Sequence, residues 1–162
     1  MIEIGIQDSN SLRTWLEYFP RPFIYGIDIK LSEKGERYEI FPVDQSKKTL
    51  LDSFKPKVSH KIFFIIDDGS HIPEHQILTF NEFFKDLLLP GGTYIIEDTE
   101  TSYWKRNGLY GYQTRYGINH QNSAIEVFKK VVDFVNNEFL STQDYQALLS
   151  SLNLKLSPET LE

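Results

Sequence analysis

Short apolar runs and stretches of helical spacing alternate along this chain. Five of the runs predict strands, at 2–6, 23–29, 38–43, 61–67 and 93–98. The fourth, KIFFIID, is continuously apolar, which is typical of a strand buried on both faces of a parallel sheet. The prediction at 38–43 is weaker because Pro42 lies inside the run.

Apolar residues recur at helical spacing between these runs. Leu12, Trp15 and Leu16 follow the cap-type residues at 9–11 and predict a helix that Pro20 ends. Further helices are predicted over 45–54, from Pro73 to the stop at Pro90-Gly91-Gly92, from Ile125 to Phe139 and from Thr142 to Leu152. Strands that alternate with helices predict an α/β fold with a mostly parallel sheet. The length of 162 residues suits a single domain over 1–162.

Acidic residues end three of the predicted strands: Asp28, Asp67-Asp68 and Glu97-Asp98. Parallel sheets bind ligands at this edge, where the strand order reverses. Because side chains alternate across a strand, neighbouring acids point to opposite sides, and one acid from each of two adjacent strands can converge. Converging carboxylates take up a proton or a cation, and oxygen ligands favour Mg²⁺. The alternative is that these acids cap helices and face solvent.

The first strand leads into a turn with a single glycine, Gly5, in EIGIQDSN. Asp28 follows about 20 residues later, where an acid commonly accepts hydrogen bonds from the ribose hydroxyls of an adenosine. An ordinary β–α turn and a surface acid explain the same residues. His71, beyond a glycine turn after Asp68, is either a general base beside the acids or a helix-start residue with no chemical role.

Residues 99–120 show no clear periodicity and are rich in aromatic side chains: Tyr103, Trp104, Tyr110, Tyr112 and Tyr116. Loops of this length in a compact domain are usually functional or disordered, and disordered segments are poor in aromatics. We therefore interpret the segment as a lid or a substrate wall, with a loop packed only on the surface as the alternative.

Charge and composition exclude several classes of function. The net charge of −6 argues against a nucleic-acid-binding surface, and no apolar run is long enough for a membrane span. The absence of cysteine excludes disulfides, thiolate metal sites and cysteine nucleophiles. No basic segment followed by an apolar segment opens the chain, so a cytoplasmic protein is predicted.

Several of these segments together form a specific pattern, DDGSHxxxHQxxTF followed by PGG and YIIEDTETSYW. It resembles class I S-adenosylmethionine-dependent O-methyltransferases, specifically the metal-dependent macrolide sugar methyltransferases of mycinamicin and tylosin biosynthesis. The cephalosporin hydroxylase and rhamnosyl O-methyltransferase family is similar. The resemblance covers about residues 2–140 and implies a Rossmann-like, mostly parallel sheet. The final antiparallel hairpin of fuller members is not recognisable.

The resemblance implies a role for each matching residue. The cofactor would lie against Glu3, Gly5 and Ser11 at its methionine part, Asp28 at its ribose, and Asp44 and Gln45 at its adenine. Mg²⁺ would be bound by Asp68, Glu97 and Asp98, His71 would be the general base, and Tyr103 and Trp104 would border the acceptor sugar. Asp67, which points away from Asp68, is left for the cofactor side or a helix cap.

The resulting expectation is an S-adenosylmethionine- and Mg²⁺-dependent O-methyltransferase with a small sugar-containing substrate, no nucleic-acid or membrane partner, and a homo-oligomeric state left open. The turn QDSN replaces the family's glycine-rich turn, and Asp8 there could repel the cofactor's carboxylate. This departure and the missing hairpin favour an alternative, a catalytically reduced binding domain. A metal-dependent hydrolase that uses the same acids is a third hypothesis.

Overall fold

The structure is a computed structural model that describes residues 1–105, 113–152 and 154–156. Its strands are β1 (Ile2–Ile4), β2 (Ile24–Asp28), β3 (Glu33–Lys34), β4 (Tyr38–Pro42), β5 (Ile62–Asp67) and β6 (Leu88–Ile96). Its α-helices are α1 (Asn10–Tyr18), α2 (Lys48–Phe54), α3 (Pro73–Leu87), α4 (Ala124–Val135) and α5 (Thr142–Ser151). Tyr110 and Tyr112 of the predicted lid lie outside the described residues.

The six strands form one sheet in the order β3-β4-β2-β1-β5-β6. All pairs are parallel except β3 with β4, which is antiparallel. β1 has β2 on one side and β5 on the other, so the strand order reverses at the carboxyl end of β1. The predicted α/β class with a mostly parallel sheet is confirmed, and the reversal point places the expected ligand site beside β1.

Side chains alternate between the two faces of the sheet, and most of those on the central strands are apolar. Ile2 and Ile4 on β1 face the cluster formed with Leu51 and Phe54 of α2 and Phe83 of α3. On the opposite face, α1 packs through Leu12 against residues of the sheet that include Ile24, Ile40 and Ile66. Because helices cover both faces, β2 is apolar at consecutive positions, whereas β1 carries the buried acid Glu3 between Ile2 and Ile4.

The structure corrects two predicted boundaries. β6 begins at Leu88 and runs through Pro90-Gly91-Gly92, which was predicted to be a stop. In the described part of the chain β6 pairs only with β5, and an edge strand tolerates a proline that cannot donate a hydrogen bond. The predicted helix at 125–139 ends at Val135, and Phe139 lies in a short 3₁₀ turn with its side chain 79% exposed.

β3 is an element that the sequence pattern did not predict. It consists of two exposed residues, Glu33 and Lys34, which have no apolar alternation to reveal them. Among the described residues, no helix has the length and apolar character needed to span a membrane.

Candidate cofactor and metal site

A cavity of about 760 Å³ lies where the strand order reverses. Its walls come from the segments that follow β1, β2, β4 and β5. The predicted cofactor residues that line it are Gly5, Ser11, Asp28, Asp44 and Gln45. Asp68 and His71 also line it. The volume falls in the range of ordinary small-molecule sites.

The turn after β1 packs tightly against the loop after β5. Gly5 has a φ of +86°, and a Cβ there would lie 2.1 Å from the backbone oxygen of Asp68, so only glycine fits. Gln7 and Ser9 also have positive φ, at 48° and 63°, although neither is glycine. Asp8, which lines the cavity, accepts hydrogen bonds from the backbone and side chain of Asn10 at 3.3 and 2.6 Å.

Asp28, at the end of β2, organises the two turns around it. Its carboxylate accepts four backbone N–H groups, from Ile6, Gln7, Lys30 and Leu31, at 2.8 to 3.2 Å. Burial acts to raise the pKa of Asp28, but these hydrogen bonds outweigh it and the pKa is lowered. The four bonds occupy the usual acceptor capacity of a carboxylate, so ribose hydroxyls would have to share or displace them.

Gln45 joins the loop after β4 to the loop after β5. Its Nε2 donates to Asp67 Oδ1 at 3.1 Å, and its Oε1 accepts the backbone N–H of Ser70 at 2.6 Å. Gly69 is required in this contact, because a Cβ there would lie 1.9 Å from Gln45 Oε1. The DDGSH loop is therefore held against the body of the domain by a buried amide.

Asp67 and Glu3 were predicted to lie on the cofactor side, but neither side chain lines the cavity. Asp67 is fully buried on the opposite face of the sheet from Glu3. Burial raises the pKa of Asp67 to about 7, opposed by hydrogen bonds from Gln45 and Gly69 and aided by the Asp68 charge. Glu3 is 1% exposed, and its Oε1 accepts from Trp15 Nε1 at 3.0 Å.

Asp68, His71 and Asp98 converge, with one potential ligand atom of each within 4.8 Å of the others. His71 Nε2 lies 3.4 Å from Asp98 Oδ2 and 4.0 Å from Asp68 Oδ1. Burial raises the pKa of Asp68, with His71 lowering it and Asp98 raising it further. Glu97, the third predicted metal ligand, is not in this group, and its side chain is exposed.

Two residues of this cluster have backbone conformations that are unusual outside glycine. His71 has a φ of 56° and Asp98 a φ of 49°. Such conformations cost energy and tend to persist at functional sites, where the surrounding structure enforces them. The idea that Asp67 or Asp68 caps α3 is wrong, because the cap residue is Ile72 and no side chain bonds to the helix start there.

Side chains beside the cluster include one histidine of α3 and the two predicted aromatic residues. His75, in the first turn of α3, contacts the DDGSH loop, because its Nδ1 lies 2.8 Å from Ser70 Oγ. Tyr103 is 57% exposed at the end of a 3₁₀ turn. Trp104 lines a second cavity of about 460 Å³, together with residues from 114 to 120.

The residues present fit Mg²⁺ and S-adenosylmethionine. Mg²⁺ is usually bound through one or two carboxylates with several waters, and Asp68 and Asp98 offer two carboxylates that are 38% and 52% exposed. The cavity beside them is lined both by polar residues such as Ser11 and Asp28 and by apolar residues such as Ile29 and Leu31. That combination suits a nucleoside with a polar, charged tail.

Comparison with known proteins finds several relatives, all of them named as O-methyltransferases. No family model matches the chain. The chain is 34% identical over 143 residues to 8-demethyl-8-alpha-L-rhamnosyl tetracenomycin-C 2'-O-methyltransferase of Streptomyces olivaceus, a match of 82% of this chain and 35% of that protein. It is 38% identical over 113 residues to mycinamicin VI 2''-O-methyltransferase of Micromonospora griseorubida, covering 64% and 28%.

The fold has solved counterparts. MycE methyltransferase in complex with Mg and SAH superposes with a TM-score of 0.74 at 29% identity, over 87% of this chain and 37% of that one. The complex of MycE with Mg, SAH and mycinamycin VI gives a TM-score of 0.69 at 29% identity, over 83% and 38%. The chain thus spans between 28% and 38% of the length of these relatives. In sequence and in Rossmann-like fold it is similar to the macrolide and rhamnosyl sugar O-methyltransferases, and the resemblance predicted from its motifs is confirmed.

Proposed function

We propose that the protein transfers a methyl group from S-adenosylmethionine to a hydroxyl of a sugar-containing small molecule, with Mg²⁺ bound at Asp68 and Asp98. The observation that carries the proposal is that the acidic cluster adjoins the cavity. Asp68 and His71 both line that cavity and both belong to the cluster with Asp98. A methyl donor in the cavity and an acceptor at the cluster would therefore be neighbours.

The cofactor assignment follows the cavity walls. Gly5 and Ser11 lie on the segment after β1 and would take the methionine part, and Asp28 at the end of β2 would take the ribose. Asp44 and Gln45 follow β4 and would border the adenine. Gln45 is 7% exposed and is committed to Asp67 and Ser70, so we expect it to shape the adenine site more than to bond to the base.

Bound Mg²⁺ supplies a Lewis acid that lowers the pKa of an acceptor hydroxyl, and S-adenosylmethionine supplies an electrophilic methyl group. His71 Nε2 would take the hydroxyl proton, since it faces the two carboxylates at 3.4 and 4.0 Å. Asp98 would hold the imidazole in this orientation. Glu97 is exposed, and its charge interacts with those of the cluster, so it would add negative charge near the bound Mg²⁺.

The substrate class rests on the relatives. Their names describe methylation of sugars on tetracenomycin, oleandolide and mycinamicin. We extend that class to this protein, with Tyr103 and Trp104 near the acceptor, because they end the short 3₁₀ turn that begins directly after Asp98. The single domain over 1–162, the cytoplasmic location and the homo-oligomeric state stay predictions.

Calorimetric titration with S-adenosylmethionine in the presence of Mg²⁺ tests the cofactor site, and heat of binding is expected. Replacement of His71 with alanine should lower methyl transfer to a rhamnosylated or mycinamicin-type acceptor by about 10²–10⁴ while cofactor binding is retained. Product mass is the readout, since the acceptor hydroxyl loses its proton and gains one methyl group as a methyl ether. An inactive wild type that binds no cofactor would refute the proposal, and full activity of His71→Ala would remove His71 from the mechanism.

A catalytically reduced binding domain is the second candidate, and two observations favour it. Asp28 already accepts hydrogen bonds from four backbone N–H groups, and Asp8 places a further carboxylate on the cavity wall. Cofactor binding without turnover on any sugar acceptor would support this candidate. Cleavage products in place of methylated ones would instead indicate the hydrolase.

A further inference from the structure

Gln76 is a buried amide that the proposed chemistry does not use. It lies in the first turn of α3 and is 0% exposed. Its Nε2 donates to the backbone oxygen of Glu97 at 2.9 Å, across 21 positions of sequence. The bond therefore links the helix that follows His71 to the segment that carries Asp98.

The hydrogen bond acts on the peptide unit that sets the backbone of Asp98. A peptide is planar, so fixing the Glu97 oxygen also fixes the orientation of the Asp98 N–H. Rotation of this unit would change ψ of Glu97 and φ of Asp98 together. Asp98 has a φ of 49°, which is uncommon for residues other than glycine. The Gln76 bond opposes the rotation that would relieve this conformation.

The preceding peptide is fixed as well, because the Glu97 N–H donates to the Asp67 oxygen at 2.9 Å. Glu97 is thus the last residue tied to β5 by a sheet-type bond, and Gln76 supplies the next constraint along the chain. The Asp98 carboxylate, 3.4 Å from His71 Nε2, depends on both.

The burial of Gln76 argues that its donor is needed. Its Oε1 is buried without a partner among the described residues, so the amide leaves one polar group unsatisfied. Burying an amide with one unsatisfied polar group costs stability relative to an apolar side chain of the same shape. That cost argues that the hydrogen bond from Nε2 has a role. An apolar residue in this position would instead leave the Glu97 oxygen without its donor.

We propose that Gln76 is a positioning residue for the metal site: through the Glu97 carbonyl it holds Asp98 in the conformation that places its carboxylate beside Asp68 and His71. The inference rests on the proposed function, since it assigns the cluster to a divalent cation. Groups that orient metal ligands commonly change metal affinity by 10–100-fold when they are replaced.

Gln76→Met tests the inference, because methionine has similar length and no donor. Mn²⁺, the probe, is titrated by electron paramagnetic resonance in the absence of cofactor and acceptor. Hydrogen exchange by mass spectrometry follows the backbone amides of residues 97–103. Ile77→Val is the matched control, since it removes one methyl from a core residue of the same helix that packs toward Phe80 and Val127. Gln76→Asn, which keeps an amide but is shorter, is read in the same way if the methionine variant does not fold.

We expect Mn²⁺ binding about 10–100-fold weaker and faster exchange at 97–103 in the Gln76 variants, with both unchanged in Ile77→Val. Mn²⁺ affinity within twofold of the wild type, with unchanged exchange, would overturn the inference. If the wild type itself binds no Mn²⁺, the proposed metal-dependent function is refuted, independently of the role of Gln76. The exchange comparison then decides about Gln76: faster exchange supports the positioning role, and equal exchange refutes it.

Discussion

Replacement of Asp67 with asparagine should remove one large contribution to the pH dependence of stability between pH 4 and pH 8. Asp67 is fully buried, and burial raises its pKa from 3.8 to about 7. One carboxylate oxygen accepts from Gln45, and the other is buried without a partner among the described residues. Asparagine has nearly the same shape, can still accept from Gln45 and does not titrate.

The sign follows from proton linkage. Because the pKa of Asp67 is higher in the folded state, the folded protein holds a proton there that the unfolded chain releases above about pH 4. The stability from this proton is complete below the unfolded value of 3.8 and is lost as pH rises to about 7. A difference of this size corresponds to roughly 4 kcal/mol in the free energy of unfolding. The figure is an upper estimate, since a buried carboxylate that ionises can draw in water.

The assay is urea unfolding of wild type and Asp67→Asn at pH 4, 5, 6, 7 and 8, with EDTA present to exclude divalent ions. The quantity of interest is the difference between the two free energies of unfolding, since titration of other groups largely cancels. The wild type should lose about 2–4 kcal/mol relative to the variant across this range. Asp133→Asn, which removes an exposed acid on α4, should follow the wild-type profile. A difference between wild type and Asp67→Asn that stays constant with pH would refute the reasoning.

Two further substitutions test other parts of the fold by the same unfolding assay. Gln7→Gly should raise the free energy of unfolding by about 0.5–1 kcal/mol, because Gln7 is exposed and has a φ of 48°; a loss of stability would show that its side chain is needed. Glu82→Gln should lower the free energy of unfolding by about 2–3 kcal/mol, because the Glu82 side chain is 2% exposed and its negative charge is paired with lysine side chains. Three ammonium groups contact its carboxylate, those of Lys48 at 3.2 Å, Lys55 at 2.8 Å and Lys155 at 2.5 Å. Glu126→Gln, which loses one exposed pair, should change it by less than about 0.5 kcal/mol, and an equal effect of the two variants would contradict this account.

The parallel sheet could be predicted from sequence because its strands carry continuous apolar runs. β1, most of β2 and the second half of β5 are buried on both faces, which leaves few positions where a polar residue could interrupt the pattern. β3 and the start of β6 could not be predicted from the pattern, because they lack a continuous apolar run. They lie at the two edges of the sheet, where exposure removes the selection for apolar side chains and a proline is tolerated.

The position of the site could also be predicted, but its supporting bonds could not. Acids at strand ends and the reversal of strand order indicate where Asp28 and Asp68 lie. The resemblance places Gln45 near the adenine and includes Gln76 in a motif, but nothing in the sequence indicates that either amide is buried or what it bonds to. Each bonds to a segment more than 20 positions away, Gln45 to Asp67 and Gln76 to Glu97. Such contacts become visible only once the loops are folded together.

Of the three predicted metal ligands, Asp68 and Asp98 come together and Glu97 does not, and the limits of strand alternation explain why. It predicts that Asp67 and Asp68, and Glu97 and Asp98, point to opposite sides, and this holds only within a strand. β5 ends at Asp67 and β6 at Ile96, so Asp68 and Asp98 belong to turns. Their side chains converge because the turns have their own geometry, including the positive φ of Asp98. A strand pattern can therefore locate such a site to within a residue or two, while the choice between Glu97 and Asp98 as the acid facing His71 depends on the backbone that Gln76 constrains.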